Sequence, residues 1–546
     1  VVPAQPANGT SRTGQIYSVY VTASTGDTVA FTVFEPATLT GGQTYPLVLH
    51  AAGFGGTRTQ TLSSPTASSS AGTNVGNNIS ELVAAGYGVI SFDQRGMGET
   101  TGKIRVMDPD YEGQDYLAVM NWAQAKLPWL AYGPTNDGAD PHEPIMGSVG
   151  GSYGGMYQVM LANIDKRHRL RAITPNITPG NLNFSLFPGT TPKTLWNLIL
   201  FGDGTTAGSG LNRGNFDPYI NNLFVADLAA DQEDPGATDF FGYHSADYFY
   251  KGVTIATNGG AGTMPQLPPT TIPPKTNALI WIGVRDTLFD FNNGVNNYNG
   301  FKASGGDVRL LSYQAGHNSI GAVPDVGVTL YYPANDAQDS RCGSTLNEDT
   351  AQLLWFNQYL KGQSGAASSI PTQPCISLSA GDAVLVPTIP RGTTSGTQFN
   401  IGSVNVVSGV QVDIPSAVSL YTAPAGGNVY AGIPHATITI QPTAGTNIGT
   451  PIVYIGLGQM HASNPGVWDL IDNQVMPVRG TGTFDLDMIG GGTRLQPGDQ
   501  LGFLVYGLQD QFAATGSVNV ASPTVEPLTV TGTVSIPLLG ANPTTF

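Results

Sequence analysis

Apolar and polar residues alternate along residues 16–33, with Tyr17, Val19 and Val21 before the turn Thr25-Gly26-Asp27 and Val29, Phe31 and Val33 after it. This period of two predicts a β-hairpin. Short, nearly all-apolar runs then recur at 45–50, 88–92, 144–149, 170–174, 278–284 and 307–313, separated by helical patterns near 79–85, 111–125, 156–164, 293–302 and 349–360. Runs of this kind fit strands buried on both faces, and their alternation with helices predicts a mainly parallel sheet covered on both sides. From 181 to 262 the pattern turns aromatic and mostly helical, with Trp196, Phe240, Phe241, Tyr248 and Tyr250, and the proline-rich run 264–275 leads back to the sheet. Such an insertion would lie over the strand ends as a lid. After about Ser377 the segments become short, alternating and β-branched: 399–407, 410–414, 436–440, 451–457, 482–488, 500–506 and 528–536. That spacing predicts a β-sandwich or jelly roll.

Between the run 144–149 and the helix 156–164 stands Gly150-Gly151-Ser152-Tyr153-Gly154-Gly155. Strand, tight turn and helix in that order make a nucleophile elbow, in which the serine sits in a strained conformation and the positions two before and two after it must lack a side chain. Gly150 and Gly154 fill them. Ser152 is the candidate nucleophile, and the Tyr153 N–H at the helix start can face a developing oxyanion. The loop Ala51-Ala52-Gly53-Phe54-Gly55-Gly56 follows another core strand, which makes the Phe54 N–H the second candidate donor.

Two further strands end in chemistry. Asp286 follows 278–284 and is the candidate acid, with Asp290 its near rival; His317 follows 307–313 and is the candidate base. A strand-end acid alone is more often a solvated cap. Of the seven histidines, only His317 follows a core strand after such an acid. The chain order Ser152, Asp286, His317 is that of α/β-hydrolases and differs from those of chymotrypsin-like and subtilisin-like enzymes. A triad of this kind needs neither cofactor nor metal. The predicted division is an α/β-hydrolase domain over 1–180 and 263–372, a lid over 181–262, and a jelly-roll domain over 373–546. Within the lid, Trp196, Phe240 and Phe241 are the candidates for substrate contact.

Composition narrows the picture. Only 11% of the 546 residues are charged, against about 25% in ordinary soluble chains, and the polar surface is built from Thr, Ser, Asn, Gln and Gly. This composition points to an exported protein, secreted, periplasmic or at the cell surface, its leader removed before Val1. A net charge of −16 argues against nucleic acid and anionic membrane as partners. No apolar run is long enough to span a bilayer. Cys342 and Cys375 form no C-x-x-C motif and would pair in an oxidising compartment.

Taken together, these motifs resemble the α/β-hydrolase family that includes X-prolyl dipeptidyl peptidases and cocaine esterase, the CocE/NonD group. Its elbow G-x-S-Y-G-G is similar to Gly150–Gly155, its D-x-R-G-x-G loop to Asp93, Arg95, Gly96 and Gly98, and its D-x-L-F acid strand to Asp286, Leu288 and Phe289. The stretches Val467-Trp468-Asp469-Leu470-Ile471-Asp472-Asn473-Gln474 and Leu495-Gln496-Pro497-Gly498 resemble its C-terminal jelly roll. Two positions depart from the pattern: Ala52-Gly53 stands where relatives carry H-G, and Phe54 offers only a backbone N–H where cocaine esterase uses a tyrosine hydroxyl. The resemblance implies a serine hydrolase acting on small or oligomeric esters, with an X-Pro dipeptidyl peptidase as the alternative. The peptidase would require a carboxylate for the substrate amine, for which Asp217, Asp227, Asp231, Glu233 and Asp234 are candidates; otherwise these form a solvated helix face. A non-catalytic surface-binding protein is a third reading, which an intact Ser, Asp and His disfavour.

Overall fold

The computed structural model describes residues 2–62, 79–207, 215–252, 255, 273–317, 342, 348–379, 381–409, 413–443, 450–512 and 526–545. Ten strands make one sheet: β1 (Ile16–Thr22), β2 (Thr28–Phe34), β3 (Leu47–Ala51), β4 (Gly88–Phe92), β5 (Met146–Gly151), β6 (Leu170–Asn176), β7 (Asn277–Gly283), β8 (Val308–Tyr313), β9 (Cys375–Ser377) and β10 (Ala383–Leu385). Their order is β10-β9-β8-β7-β6-β5-β3-β4-β2-β1. Pairing is parallel from β4 through β9 and antiparallel at both ends.

Side-chain alternation explains why the central strands read as continuous apolar runs, since each face of the sheet meets its own helical layer. The helices in chain order are α1 (Ile79–Ala84), α2 (Glu112–Lys126), α3 (Tyr153–Ile164), α4 (Leu182–Leu186), α5 (Thr194–Thr206), α6 (Pro218–Ala230), α7 (Pro235–Tyr243), α8 (Ala246–Lys251), α9 (Phe291–Lys302) and α10 (Glu348–Tyr359). Leu49, Ile173 and Ile280 share a core with α2, α3 and α9, whereas Val48, Val149 and Trp281 share another with α1 and α10. β1 alternates exposed and half-buried positions, as an edge strand does.

Helices α4–α8 all lie between β6 and β7. Their starts are set locally: Asp217 accepts from Tyr219 N ahead of Pro218, and Asp234 accepts from Gly236 N ahead of Pro235. An acidic cap, followed by a proline whose missing N–H costs nothing at the first helical position, fixes where α6 and α7 begin.

The C-terminal part carries β11 (Gln398–Ser408), β12 (Ser416–Thr422), β13 (Asn428–Gly432), β14 (His435–Pro442), β15 (Ile452–Met460), β16 (Asp469–Leu470), β17 (Met476–Arg479), β18 (Gly482–Asp487), β19 (Gly491–Leu495), β20 (Gln500–Tyr506) and β21 (Glu526–Ser535). The four-stranded sheet β11-β21-β14-β18 and the sheet β12-β20-β15-β16, with β17 on β15, are antiparallel. Val404, Ile438 and Val530 from the first share one core with Ile455, Phe503 and Val505 from the second.

One expectation is corrected. Residues 375–385, expected in the C-terminal domain, extend the large sheet instead, with Cys375 opposite Leu311 and β10 antiparallel to β9. Three-residue strands carry too few positions to reveal their partner. Of the strand expected over 410–414, residues 410–412 lie outside the described residues and Asp413 occupies a turn with φ 56°; the strand that follows is Ser416–Thr422. Much of the proline-rich run, 264–272, also lies outside the described residues.

Candidate active site

Ser152 sits between β5 and α3 with φ 58° and ψ −125°, left-handed backbone that a serine adopts only under constraint. A Cβ on Gly154 would land on the Ala51 carbonyl, and one on Gly150 would lie 2.6 Å from the Gly154 carbonyl. Glycine at both places is therefore a packing requirement. Gln158, fully buried one turn into α3, binds the elbow together: its amide donates to Gly150 O at 2.9 Å and Gly154 O at 3.1 Å, while its own oxygen accepts from Thr174 N at 3.0 Å and Ser148 Oγ at 3.2 Å. Ser152 N donates to Asn176 O at 2.9 Å.

At the end of β7, Asp286 is wholly buried. One carboxylate oxygen accepts from Leu288 N at 2.9 Å and Phe289 N at 2.7 Å; the other lies 2.7 Å from His317 Nδ1. His317 is also buried, its ring set edge-on to Phe289 at 5.2 Å and to Trp196 at 6.0 Å. Its Nε2 has no hydrogen-bond partner among the described residues. Asp290, the rival acid, instead caps α9 through Asn293, and burial pushes its carboxyl up to about 6. Lys193 is buried before α5; desolvation lowers its pKa, and its Nζ donates to the carbonyls of Thr287 at 2.9 Å and Leu288 at 3.2 Å. Thr287 in turn donates to His317 O from both its N–H, at 3.1 Å, and its hydroxyl, at 3.0 Å.

The two residues that carry the candidate oxyanion donors touch through their side chains. The Phe54 and Tyr153 rings meet edge-to-face at 5.1 Å, and the Tyr153 hydroxyl accepts from Met107 N at 3.0 Å. Gln94, within the Asp93–Gly98 loop, donates to Ala52 O at 2.8 Å and so supports the Phe54 loop, while Arg95 and Arg58 are spent on ion pairs with Asp115 and Asp93. That loop is scaffolding.

Ser152, Tyr153 and Phe54 line a cavity with about 900 Å³ of empty space, including open solvent, walled also by residues of α4–α7 and by Val106, Met156, Phe216 and Phe289. Phe54, Phe216, Phe201 and Phe224 stack in series along it, at centroid spacings of 6.0, 5.4 and 4.2 Å. Of the three aromatic lid candidates, Phe241 lines this cavity, Phe240 packs beneath it against His244 at 4.1 Å, and Trp196 faces His317. Asp227 is the only carboxylate among the described lining residues, and burial pushes it up to about 7. The other four acids lie elsewhere: Asp217 pairs with Arg105, Asp231 with Arg479, Asp234 caps α7, and the carboxyl of Glu233 is pushed up to about 8 by burial.

The described residues hold no cluster of three or more His, Cys, Asp or Glu able to bind a metal, and no helix among them is long and apolar enough to cross a membrane. Cys342 and Cys375 form a disulfide with Cα atoms 6.0 Å apart.

Residues 25–196 match the family described as X-Pro dipeptidyl-peptidase (S15 family). Among solved structures, a CocE/NonD family hydrolase from Staphylococcus aureus is 14% identical with a TM-score of 0.63, over 96% of this chain and 94% of that one. An α-amino acid ester hydrolase is 14% identical with a TM-score of 0.60, over 98% of both chains. An aminopeptidase from a marine sediment Thaumarchaeota archaeon is 12% identical with a TM-score of 0.62, over 96% of this chain and 97% of that one. No curated protein matches. At such identities the structures speak for the α/β-hydrolase fold alone, and the likeness to the S15 family is carried by residues 25–196.

Proposed function

We propose that the chain hydrolyses carboxylic esters bearing apolar groups, through Ser152, His317 and Asp286. The observation that carries this reading is the opening of Ser152 into an apolar, phenylalanine-walled cavity, with the buried Asp286–His317 pair packed behind its lining residue Phe289. Ser152 Oγ attacks the acyl carbon while His317 Nε2 takes its proton; the proton then passes to the leaving alcohol, and water repeats the sequence to release the acid. Asp286 holds the imidazole by Nδ1 and stabilises its cationic form. The oxyanion receives the Tyr153 and Phe54 N–H groups, each worth about 3 to 4 kcal/mol in the transition state. Helices α4–α8 serve as the lid and the two C-terminal sheets as a jelly-roll domain, in a protein exported from the cytoplasm.

Asp227 favours a second reading. A single carboxylate in an apolar cavity suits the free amine of a peptide, as an X-Pro dipeptidyl peptidase requires. Fluorophosphonate labelling of the wild type and of Ser152→Ala, with p-nitrophenyl esters and Ala-Pro-p-nitroanilide as substrates, tests both. Equal labelling of the two proteins, or none of the wild type, would sink the triad. Ester turnover alone supports the esterase; amine-dependent release from the anilide makes it the peptidase.

A further inference from the structure

Among the contacts that join the C-terminal sheets to the catalytic sheet, one reaches the backbone of the candidate acid. Gln474 is buried between the turn Ile471–Asn473 and β17. Its Nε2 donates to Val284 O at 2.8 Å and to Asp286 O at 2.9 Å, across 190 and 188 residues of sequence. The backbone that presents it is itself constrained. Asp472 and Asn473 hold φ values of 54° and 57°. The Asp472 carboxylate accepts from Ser379 Oγ at 2.7 Å and Gly492 N at 2.9 Å, and Gln511 donates to Asn473 O at 2.8 Å.

We propose that Gln474 is a positioning residue for the hydrolytic reaction, holding the Asp286 loop from the C-terminal domain so that the carboxylate stays on His317 Nδ1. The proposal rests on the triad reading above. Two hydrogen bonds from one planar amide to carbonyls two residues apart fix the orientation of both peptide planes. The carboxylate of Asp286 is held by N–H groups of its own loop, Leu288 and Phe289, and Lys193 holds the carbonyls of Thr287 and Leu288. Gln474 supplies the restraint on the Asp286 carbonyl itself. Released, the loop can turn the carboxylate away from the imidazole, and a reacting group displaced by about 1 Å can lose roughly 100-fold in rate.

The test compares wild type with Gln474→Met, which keeps length and loses both N–H donors, using a p-nitrophenyl ester. Labelling of wild-type Ser152 by a fluorophosphonate comes first; its absence would remove the triad reading, and this inference with it. Given labelling, the expected result is a kcat lower by roughly 10- to 100-fold with KM within about twofold. The acid limb of the pH profile should move to lower pH, because a loosened carboxylate stabilises the imidazolium less. The far-downfield proton resonance of the His317–Asp286 hydrogen bond should move upfield or broaden. A folded variant with wild-type kcat, pH profile and resonance overturns the proposal, as does a loss of activity with the latter two unmoved. If Gln474→Met does not fold, Gln474→Asn, one methylene shorter, is read by the same three measurements. Failure of both to fold assigns Gln474 a purely structural role and likewise overturns it.

Discussion

The indole N–H of Trp196 donates to the Thr287 hydroxyl at 3.1 Å, and that hydroxyl donates to the His317 carbonyl at 3.0 Å. Helix α5, which also lines the cavity, is thereby attached to the residue carrying the candidate base. Trp196→Phe keeps a ring against the imidazole and removes the N–H. One neutral hydrogen bond is worth about 1 kcal/mol, so kcat on a p-nitrophenyl ester should fall about fivefold with KM little changed. Steady-state kinetics on the purified variant check it.

Gln158 is expected to matter more for stability than any other polar residue of α3. Gln158→Leu would leave the Gly150 and Gly154 carbonyls and the Thr174 N–H buried without those partners. At about 1 kcal/mol for each hydrogen bond lost, the loss should be about 3 kcal/mol. A shift of the urea midpoint to lower concentration, with unchanged slope, is the readout.

Asp227 gives a pH dependence of definite sign. Burial raises its folded pKa to about 7, above the ordinary carboxyl value of 3.8. The folded chain therefore binds more protons than the unfolded one between those values, and stability is lost as pH rises from about 4 through about 7. Asp227→Asn removes that loss. The difference between urea midpoints at pH 5 and pH 8 should be smaller in the variant than in the wild type. On a neutral apolar ester, the wild type should also slow above pH 7 relative to the variant, as charge enters the cavity.

The disulfide spans a sequence separation of 33. A closed loop of that length lowers the entropy of the unfolded chain by an amount worth about 4 kcal/mol. Cys342→Ala with Cys375→Ala, or reduction of the wild type by dithiothreitol, should lower Tm by several degrees. Differential scanning calorimetry with and without reductant measures it.

The elbow and the strand-end positions of Asp286 and His317 are legible in the sequence because each is a local pattern: an apolar run, then a glycine turn or a polar residue. What supports them is not. Gln158 reads as one more polar helix residue, and Gln474 as a polar residue near a turn; their value lies in carbonyls that only the folded chain brings within reach. Trp196 illustrates the same limit, since an aromatic residue in a helical insertion can face the substrate or brace the candidate base with identical spacing. β9 and β10 escape the pattern because three residues carry no usable period. Asp227 can be placed among five acids but not singled out, since which of them faces a cavity is a matter of helix packing.

Strands β9 and β10 lie on the C-terminal side of the expected boundary, yet they complete the sheet that carries Asp286 and His317. A fragment cut at residue 372 would strip β8 of its neighbour and leave a raw sheet edge beside the acid and base. Grafting this hydrolase onto another scaffold, or trading its C-terminal half for that of a relative, would therefore have to respect a seam near residue 386. Even there, Gln474 would have to be matched by the incoming half.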